Sequence, residues 1–246
     1  MPQFLINSEN ILEENIIIRQ KTDIKHIIEV LRCKIGDEIL FIDEQEMLYR
    51  TNILEFSKDF LKTQIISKEK SIRSLNTDIT LIQSILKSSA QDLTIQKATE
   101  LGVKTILPII SKYTVVKIEN EKDNPKKVER WSKIASESCK QCERSKAPEV
   151  LAIKTFQESL KIDFDIKIAC VERTSEISLK DFLRKTNYSK NQKIAVFIGP
   201  EGGWSNSEIE FFDKNDITKV SLGNLILRAE TAAINAVSGI IYEYEN

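Results

Sequence analysis

The sequence predicts an α/β protein in which a parallel sheet covered by helices is preceded by a small β-rich module. From residue 79 onward, short apolar runs alternate with helical segments, which is the pattern of parallel strands joined by crossover helices. Before residue 70, short strands follow one another with polar breaks. The 246 residues, of which 41% are hydrophobic and 30% charged, suffice for two domains. We therefore place a β-rich domain at residues 1–70 and an α/β domain at residues 75–246.

The first domain is predicted to contain one helix and at least three strands. Apolar residues at positions 24, 27, 28 and 31 have helical spacing and predict a helix over residues 23–32. Gly36 and Asp37 then mark a turn. Strands are predicted at 38–43, 48–56 and 60–66. This set favours a compact barrel-like module, and the polar segment 67–78 is interpreted as the linker that follows it.

In the second domain, strands and helices alternate. A helix over 88–102 is predicted to have Ser88 or Ser89 as its N-terminal cap and Gly102 as its C-terminal stop. Another helix, over 128–145, has small or apolar residues at helical spacing. The remaining elements are strands at 79–86, 105–110, 167–172, 193–198 and 218–222, a helix at 205–215 and a long C-terminal helix.

Charge and hydropathy restrict the environment and the partners. The net charge of −1 and the pI of about 6.1 do not favour a nucleic-acid partner for the chain as a whole. Residues 126–146, however, carry seven basic and three acidic side chains. This segment is either a solvated helix face or an RNA-binding face. Because no apolar run is long enough for a membrane span and no signal segment is visible, we expect a cytoplasmic protein.

Two of the four cysteines, Cys139 and Cys142, form a C-x-x-C motif. Such a motif can be half of a zinc site or a redox pair. A zinc site needs further ligands, and the other candidates, Cys33, Cys170 and His26, are scattered along the chain. We therefore expect no metal and interpret the pair as two small residues one turn apart on a helix.

The stretch "IGPEGGWSNSEIE" (198–210) concentrates three glycines and a proline between a predicted strand and helix. It lacks the lysine of a phosphate-binding loop and the G-x-G-x-x-G spacing of a dinucleotide site. Glu201 lies inside the loop and would repel a phosphate, whereas Ser205 and Glu208 fit a capping box that leaves the helix without need of an anion. The loop therefore suits a neutral or cationic ligand, or is a tight turn without any ligand.

A second unusual stretch is "SLGNLILRAETAAINAVSGIIYEY" (221–244). Gly223 and Asn224 predict a turn after a strand, and the helix that follows begins with closely spaced alanines. Such small residues permit close approach of another helix or of another subunit, although ordinary core packing also explains them. Arg228, Glu230 and Thr231, at the start of this helix, are harder to explain as core residues.

Together these two stretches resemble the SPOUT methyltransferases, and most closely the RsmE family, which methylates N3 of a uridine in small-subunit (16S) ribosomal RNA. Three further blocks resemble that family, namely "HIIEVLRCKIGDEILFID" (26–43), "DLTIQKATELGVKTILPI" (92–109) and "ESCKQCERSKAPEV" (137–150). The resemblance therefore covers nearly the whole chain. It departs from the family after Lys87, where "SSAQ" replaces a run that usually contains a basic residue.

The resemblance implies a SPOUT-type parallel sheet with a C-terminal trefoil knot near residues 195–240, a PUA-like RNA-binding barrel at the N-terminus, and a homodimer. It also implies that two knot loops, 198–204 and 221–228, bind S-adenosylmethionine. The cofactor-binding residues would then be Ile198, Gly199, Pro200, Glu201, Gly202, Gly203, Ser221, Leu222, Gly223, Ile226, Leu227, Arg228 and Thr231.

For catalysis, the resemblance leads us to choose Arg228 for the electrostatic role and Glu230 or Glu201 as proton acceptor or as the group that orients Arg228. Arg144 would reach the substrate base or phosphate from the partner subunit. The first turn of a helix also favours a carboxylate at Glu230 without any catalytic role. The RNA-binding residues would be His26, Arg32, Lys87, Lys97 and Arg144.

Three other functions compete with methylation of uridine N3. Ribose 2′-O-methylation would keep the superfamily but is disfavoured by the N-terminal module and the 92–109 block. A non-catalytic RNA-binding ribosome assembly factor is disfavoured by the glycines, Arg228 and Glu230. A nucleotide-dependent oxidoreductase is disfavoured by Glu201 and by the missing dinucleotide fingerprint.

Overall fold

Two separate sheets organise the chain in a computed structural model that describes residues 3–70, 75–116, 123–142, 144–172 and 177–245. The chain divides into two compact units. The first consists of Met1–Ser74 with Cys139–Lys146, and the second of Leu75–Ser138 with Ala147–Asn246. Among the described residues, no helix combines the length and the apolar character that a membrane crossing requires.

In the first unit, the described residues form a six-stranded sheet with the order β1-β4-β5-β6-β3-β2. Its strands are β1 (Gln3–Leu5), β2 (Ile11–Leu12), β3 (Asn15–Ile18), β4 (Glu38–Ile42), β5 (Met47–Phe56) and β6 (Leu61–Lys70). The pair β1–β4 is parallel and the other neighbours are antiparallel. Alternate residues such as Ile16 and Ile18 point into an apolar core that includes Phe41 and Leu61.

The predicted helix over 23–32 is present in a modified form. An α-helix, α1 (Lys21–Lys25), continues directly as a π-helical turn (His26–Val30), and a short 3₁₀ turn (Ser8–Asn10) lies earlier in the chain. Ile24 and Ile27 are buried, as their spacing predicts. Arg32 has a positive φ of 56°, so the chain leaves the helix before the predicted end.

In the second unit, the described strands form one parallel sheet with the order β10-β8-β7-β13-β11-β14-β12, and β9 pairs with β8. The prediction of an α/β fold with a parallel sheet is confirmed. The strands are β7 (Asp78–Ser84), β8 (Thr105–Ile110), β9 (Glu149–Val150), β10 (Lys154–Thr155), β11 (Ile166–Cys170), β12 (Ile177–Ser178), β13 (Lys193–Ile198) and β14 (Thr218–Ser221).

Helices connect these strands, and apolar side chains cover both faces of the sheet. The helices are α2 (Ser88–Glu100), α3 (Asp123–Gln141), α4 (Phe156–Ser159), α5 (Leu179–Lys185), α6 (Asn206–Lys214) and α7 (Ala229–Tyr244). Along β13, Val196 belongs to one apolar cluster with Val237 of α7, and Phe197 belongs to another with Phe212 of α6. The two central strands are therefore buried on both sides, as the continuous apolar runs in the sequence indicate.

Several predicted boundaries are wrong. Residues 67–70, interpreted as linker, continue strand β6, because polar side chains suit the exposed part of a paired strand. Helix α2 begins at Ser88 with Lys87 at the cap position and no side-chain cap, so neither Ser88 nor Ser89 is the cap. Helix α3 begins and ends earlier than 128–145. Gly102 does end α2, with a φ of +95° that glycine tolerates.

Candidate functional site

A pocket of about 1060 Å³ opens at the carboxyl ends of β11, β13 and β14 in the second unit. Ligands of open parallel sheets commonly bind at this end of the strands. Two chain segments form its walls, a first wall of residues 198–204 and a second wall of residues 221–228. Further lining residues come from the start of α2, the end of β11, helix α6 and the start of α7, namely Lys87, Ser89, Ala90, Cys170, Val171, Glu172, Ile209, Ala229, Glu230 and Ala232.

The first wall is fixed by hydrogen bonds. The Gly203 N–H donates to the Pro200 carbonyl at 2.9 Å, and the Gln83 side chain donates to the Gly199 carbonyl at 3.4 Å. Trp204 covers Gly199 closely, since a Cβ built on Gly199 would lie 3.2 Å from the indole ring. The indole N–H donates to the Cys170 carbonyl at 3.0 Å. The path of this wall is therefore set by the protein itself.

A buried carboxylate anchors the helix that follows the first wall. The capping box predicted for Ser205 and Glu208 is present, with the Ser205 N–H donating to Glu208 at 2.9 Å and the Ser205 hydroxyl accepting from the Glu208 N–H. The other oxygen of Glu208 accepts the backbone N–H of Lys112 at 2.8 Å. Because the start of α6 is satisfied in this way, it needs no bound anion.

The second wall lacks comparable internal bonds. Between Leu222 and Leu227, the chain forms no hydrogen bond with any described residue. Leu225 and Ile226 are 80% and 58% exposed, and Gly223 has a φ of +119°. Exposed apolar side chains and unpaired main-chain groups therefore line one side of the pocket. These are the groups that a flat heterocycle with polar edges can satisfy.

Five charged residues line the pocket, namely Lys87, Glu172, Glu201, Arg228 and Glu230. Arg228 occupies the N-cap position of α7 without a side-chain capping bond, is exposed, and pairs its guanidinium with no described residue. Glu230, one residue into the same helix, is partly buried. The Glu201 carboxylate accepts the backbone N–H of Lys87 at 3.1 Å and thus joins the first wall to the start of α2. The pocket therefore combines two basic residues, of which Arg228 is unpaired among the described residues, with three acidic ones.

These groups fit S-adenosylmethionine, whose sulfonium is cationic. Gly203 and Gly223 adopt backbone conformations that side chains disfavour, and neither has a neighbour within 4 Å of a built Cβ, so the space beside them is open to a ligand. Unpaired main-chain groups of the second wall can hydrogen-bond an adenine, and the carboxylates favour a positive charge. Cys170 adds a neutral lining group, because burial raises the pKa of its thiol to about 12.

The structure brings most of the predicted cofactor and catalytic residues to this one pocket. Of those sets, Thr231 is exposed but outside the lining, and Arg144 belongs to the first unit. Lys87 lines the pocket as well. The role of each residue in binding or catalysis stays a prediction.

The other predicted RNA-binding residues belong to both units, Lys97 to the second and His26 and Arg32 to the first. The Lys97 ammonium bonds to Glu100 at 2.9 Å, so part of its charge is compensated within α2. His26 is exposed and packs edge-to-face on Phe4 at 5.7 Å between ring centroids. Arg32 is exposed beyond the π-helical turn. All of these remain predictions for RNA contact.

Arg144 lies in a partly buried setting near the C-x-x-C motif. Burial lowers the pKa of its guanidinium, while Cys139, Cys142 and Glu46 act in the opposite direction. The Cys139 thiol donates to the Arg144 carbonyl at 3.3 Å, and burial raises its pKa to about 11. Both cysteines are free thiols, and the described residues contain no cluster of three or more metal-ligating side chains.

Sequence reasoning missed several lining residues. Trp204 follows the glycines directly and could have been included as a ring able to cover Gly199. Cys170, Val171 and Glu172 lie at the end of β11, which neighbours β13 in the sheet. Only the strand order shows that these carboxyl ends meet. Leu225 is an exposed apolar residue within a segment that was already chosen.

Comparison with known proteins identifies the family of the chain. A family model for the RNA methyltransferase domain matches residues 73–241, which defines the class of protein. The ribosomal RNA small subunit methyltransferase E of Bacillus subtilis (strain 168) is 32% identical over 228 residues, and the match covers 91% of this chain and 88% of that protein.

Two solved structures resemble the chain over its length. One is a ribosomal RNA small subunit methyltransferase E from Neisseria gonorrhoeae bound to S-adenosylmethionine, with a TM-score of 0.82, 26% identity and coverage of 98% of this chain and 97% of that one. The other is a putative methyltransferase from Legionella pneumophila in complex with the same cofactor, with a TM-score of 0.80, 26% identity and coverage of 98% and 96%. The chain belongs to the ribosomal RNA small subunit methyltransferase E (RsmE) family of RNA methyltransferases.

Proposed function

We propose that this protein transfers a methyl group from S-adenosylmethionine to N3 of a uridine in small-subunit (16S) ribosomal RNA. The observation that carries the proposal is the pocket itself, in which a fixed wall, an unpaired wall and a free arginine meet at the carboxyl ends of the sheet. Membership of the RsmE family and the cofactor bound by the two similar structures support the choice of donor.

The two walls divide the work of binding. The second wall, through main-chain groups of Leu222, Gly223, Ile226 and Leu227, would hold the adenine between apolar side chains. The first wall, from Ile198 to Gly203, would lie against the rest of the donor, and its glycines permit close approach of the backbone. Ser221, at the start of the second wall, and Thr231, in the first turn of α7, complete the proposed set.

The chemistry places specific demands on this chain. When bound, S-adenosylmethionine supplies an electrophilic methyl carbon on a cationic sulfur. Uridine N3 carries a proton and becomes a good nucleophile only when that proton leaves. The protein must therefore accept the N3 proton, stabilise the negative charge that spreads over the uracil, and hold the base in line with the methyl carbon.

Arg228 is the residue proposed to stabilise the developing charge. Its guanidinium has no partner among the described residues, so no ion pair must break before it meets the uracil. Glu230 or Glu201 would accept the N3 proton or orient Arg228. The geometry favours Glu230 for the proton, because one oxygen of Glu201 already accepts the Lys87 N–H, but both carboxylates line the pocket.

The finer architecture belongs to the same proposal. Residues 195–240 would form a trefoil knot, the protein would act as a cytoplasmic homodimer, and Arg144 of one subunit would reach the substrate bound at the other. The first domain, residues 1–70, would be a PUA-like RNA-binding barrel, with His26 and Arg32 facing the RNA. Lys87 and Lys97 would contact the phosphate backbone near the pocket, where affinity depends on basic side chains.

Nucleoside analysis of ribosomal RNA tests this function. Small-subunit RNA from a strain that lacks the family enzyme is incubated with the purified protein and S-adenosylmethionine, and the digested nucleosides are identified by mass spectrometry. The expected product is 3-methyluridine. Appearance of a 2′-O-methylated nucleoside instead would assign the ribose activity. Failure to methylate RNA or assembled subunits would leave a non-catalytic RNA-binding role and overturn the proposal.

A further inference from the structure

An exposed tyrosine lies beside the first wall of the pocket, outside every residue set considered so far. Tyr113 follows β8 and is 46% exposed. A Cβ built on Gly202, which lines the pocket, would lie 3.0 Å from the Tyr113 Cβ. The backbone of Tyr113 therefore runs along the rim of the site that is proposed to bind the methyl donor.

The turn that presents Tyr113 is held in place by several bonds. The Thr114 N–H donates to the Ser111 carbonyl at 3.1 Å, and the Ser111 N–H donates to the Thr114 hydroxyl at 3.0 Å. The backbone N–H of Lys112 donates to the buried carboxylate of Glu208 at 2.8 Å. The same carboxylate thus fixes both the start of α6 and the turn, so the backbone position of Tyr113 relative to the first wall is set.

Tyr113 has the properties of a stacking platform. Its ring makes no aromatic contact with a described residue, and the Lys112 ammonium lies 6.0 Å from the ring centroid. A half-exposed aromatic ring beside a lysine is the combination with which proteins hold unpaired bases, because the ring stacks on the base and the cation lies near the phosphates. A packing role alone would not require the ring to be exposed.

We propose that Tyr113 contacts the substrate RNA by stacking on an unpaired base at the entrance of the pocket. This inference rests on the proposed function, which requires an RNA in which N3 of the target uridine is free of its pairing partner. Stacking at the rim would hold that strand open next to the first wall, while Lys112 would compensate a nearby phosphate. Tyr113 would thereby set RNA affinity without contributing to donor binding.

Two substitutions separate stacking from packing. Tyr113→Phe keeps the aromatic face, whereas Tyr113→Leu keeps apolar contact with Gly202 but removes that face. For Tyr113→Leu, we expect the KM for small-subunit ribosomal RNA to rise roughly 5- to 150-fold, the range of a lost base–aromatic stack. Tyr113→Phe should stay close to wild type. The Kd for S-adenosylmethionine, measured by calorimetry, should be unchanged in both variants.

A matched control is Tyr242→Leu, since Tyr242 is also an exposed tyrosine, at 73%, but lies near the end of α7. It should leave the KM for RNA unchanged. If Tyr113→Leu has a wild-type KM, or if it weakens donor binding as much as RNA binding, Tyr113 is not a stacking residue. If the wild-type protein transfers no methyl group, the proposed function fails, and filter binding of the same RNA to the three variants still decides whether Tyr113 contacts it.

Discussion

The two walls of the pocket differ in how the chain satisfies its own polar groups. In the first wall, Gly199, Glu201 and Gly203 all take part in hydrogen bonds within the second unit. In the second wall, residues from Leu222 to Leu227 make no such bond with the described chain, and Leu225 and Ile226 expose most of their side chains. In the free protein, the first wall therefore has internal hydrogen-bond partners, and the main chain of the second wall between Leu222 and Leu227 has none among the described residues.

This difference shows which part of the site lacks hydrogen-bond partners that a ligand can supply. Main-chain donors and acceptors that are removed from water need partners, so a ligand placed on the second wall must supply polar edges along with apolar surface. The first wall has little left to offer except shape, close backbone approach and the charge of Glu201. The contrast predicts that changes to the groups that hold the first wall act mainly on stability, and that changes in the second wall act mainly on binding and catalysis.

The largest effect is expected at the end of the second wall. Arg228→Ala should lower kcat/KM for RNA methylation by roughly 100-fold or more, because it removes the cation that stabilises charge on the uracil. Arg184→Ala is the control, since Arg184 is an exposed arginine that pairs with Glu243 away from the pocket. Full activity in Arg228→Ala, measured by transfer of a labelled methyl group, would remove Arg228 from the catalytic site.

Behind the first wall, the expected effect is on folding. Glu208→Ala should lower the free energy of unfolding by about 3 kcal/mol, because it leaves the N–H groups of Ser205 and Lys112 without their buried acceptor. Glu158→Ala is the matched control, because Glu158 completes an exposed capping box with Thr155, and it should cost clearly less. Denaturant unfolding measures both. Equal losses would show that burial of Glu208 contributes nothing.

A glycine comparison separates strain from ligand contact. Gly223 in the second wall and Gly36 in the first unit both have positive φ angles, and neither has a neighbour within 4 Å of a built Cβ. Substitution by alanine should therefore cost each about 1–2 kcal/mol of stability through backbone strain. Only Gly223→Ala should also weaken the binding of S-adenosylmethionine, with a Kd that rises roughly tenfold. Calorimetry that finds equal affinity in the two variants would argue against close donor contact at Gly223.

The smallest effect concerns the charge of the first wall. Glu201→Gln keeps an acceptor for the Lys87 N–H but removes the negative charge. Because Glu201 is exposed and screened by solvent, the Kd for S-adenosylmethionine should rise only about threefold. The Kd for S-adenosylhomocysteine, whose sulfur is neutral, should not change. An equal loss for both ligands would mean that Glu201 acts through loop structure and not through charge.

Much of this site could be predicted from the sequence because its residues are contiguous. The glycines of 199–203 and the "LGNLILRAE" segment are local signals, and turn chemistry and the capping box at Ser205 are local as well. Cys170 and Glu172 could not be predicted, because their approach to the pocket depends on β11 lying between β13 and β14. Strand order in a parallel sheet is a long-range property that local patterns do not encode.

In the fold, too, local sequence patterns predict some elements and leave others unpredicted. The apolar runs predicted the central strands β7 and β13, whereas the two-residue strands β9, β10 and β12 carry no periodic signal. Lys97 is a case that local patterns do reach, because the helix predicted over 88–102 already places Glu100 one turn away, and the structure pairs the two side chains. Tyr113 became a candidate only through its distance from Gly202.

The central claim is that the methyl donor binds in this pocket and completes the second wall. Hydrogen–deuterium exchange of the protein, with and without S-adenosylmethionine, tests it directly. Amides between Leu222 and Leu227 should exchange quickly in the free protein and become strongly protected with the donor, while amides of residues 199–203 should change much less. Unchanged exchange at Leu222–Leu227 under saturating donor, or protection confined to the first domain, would contradict the account.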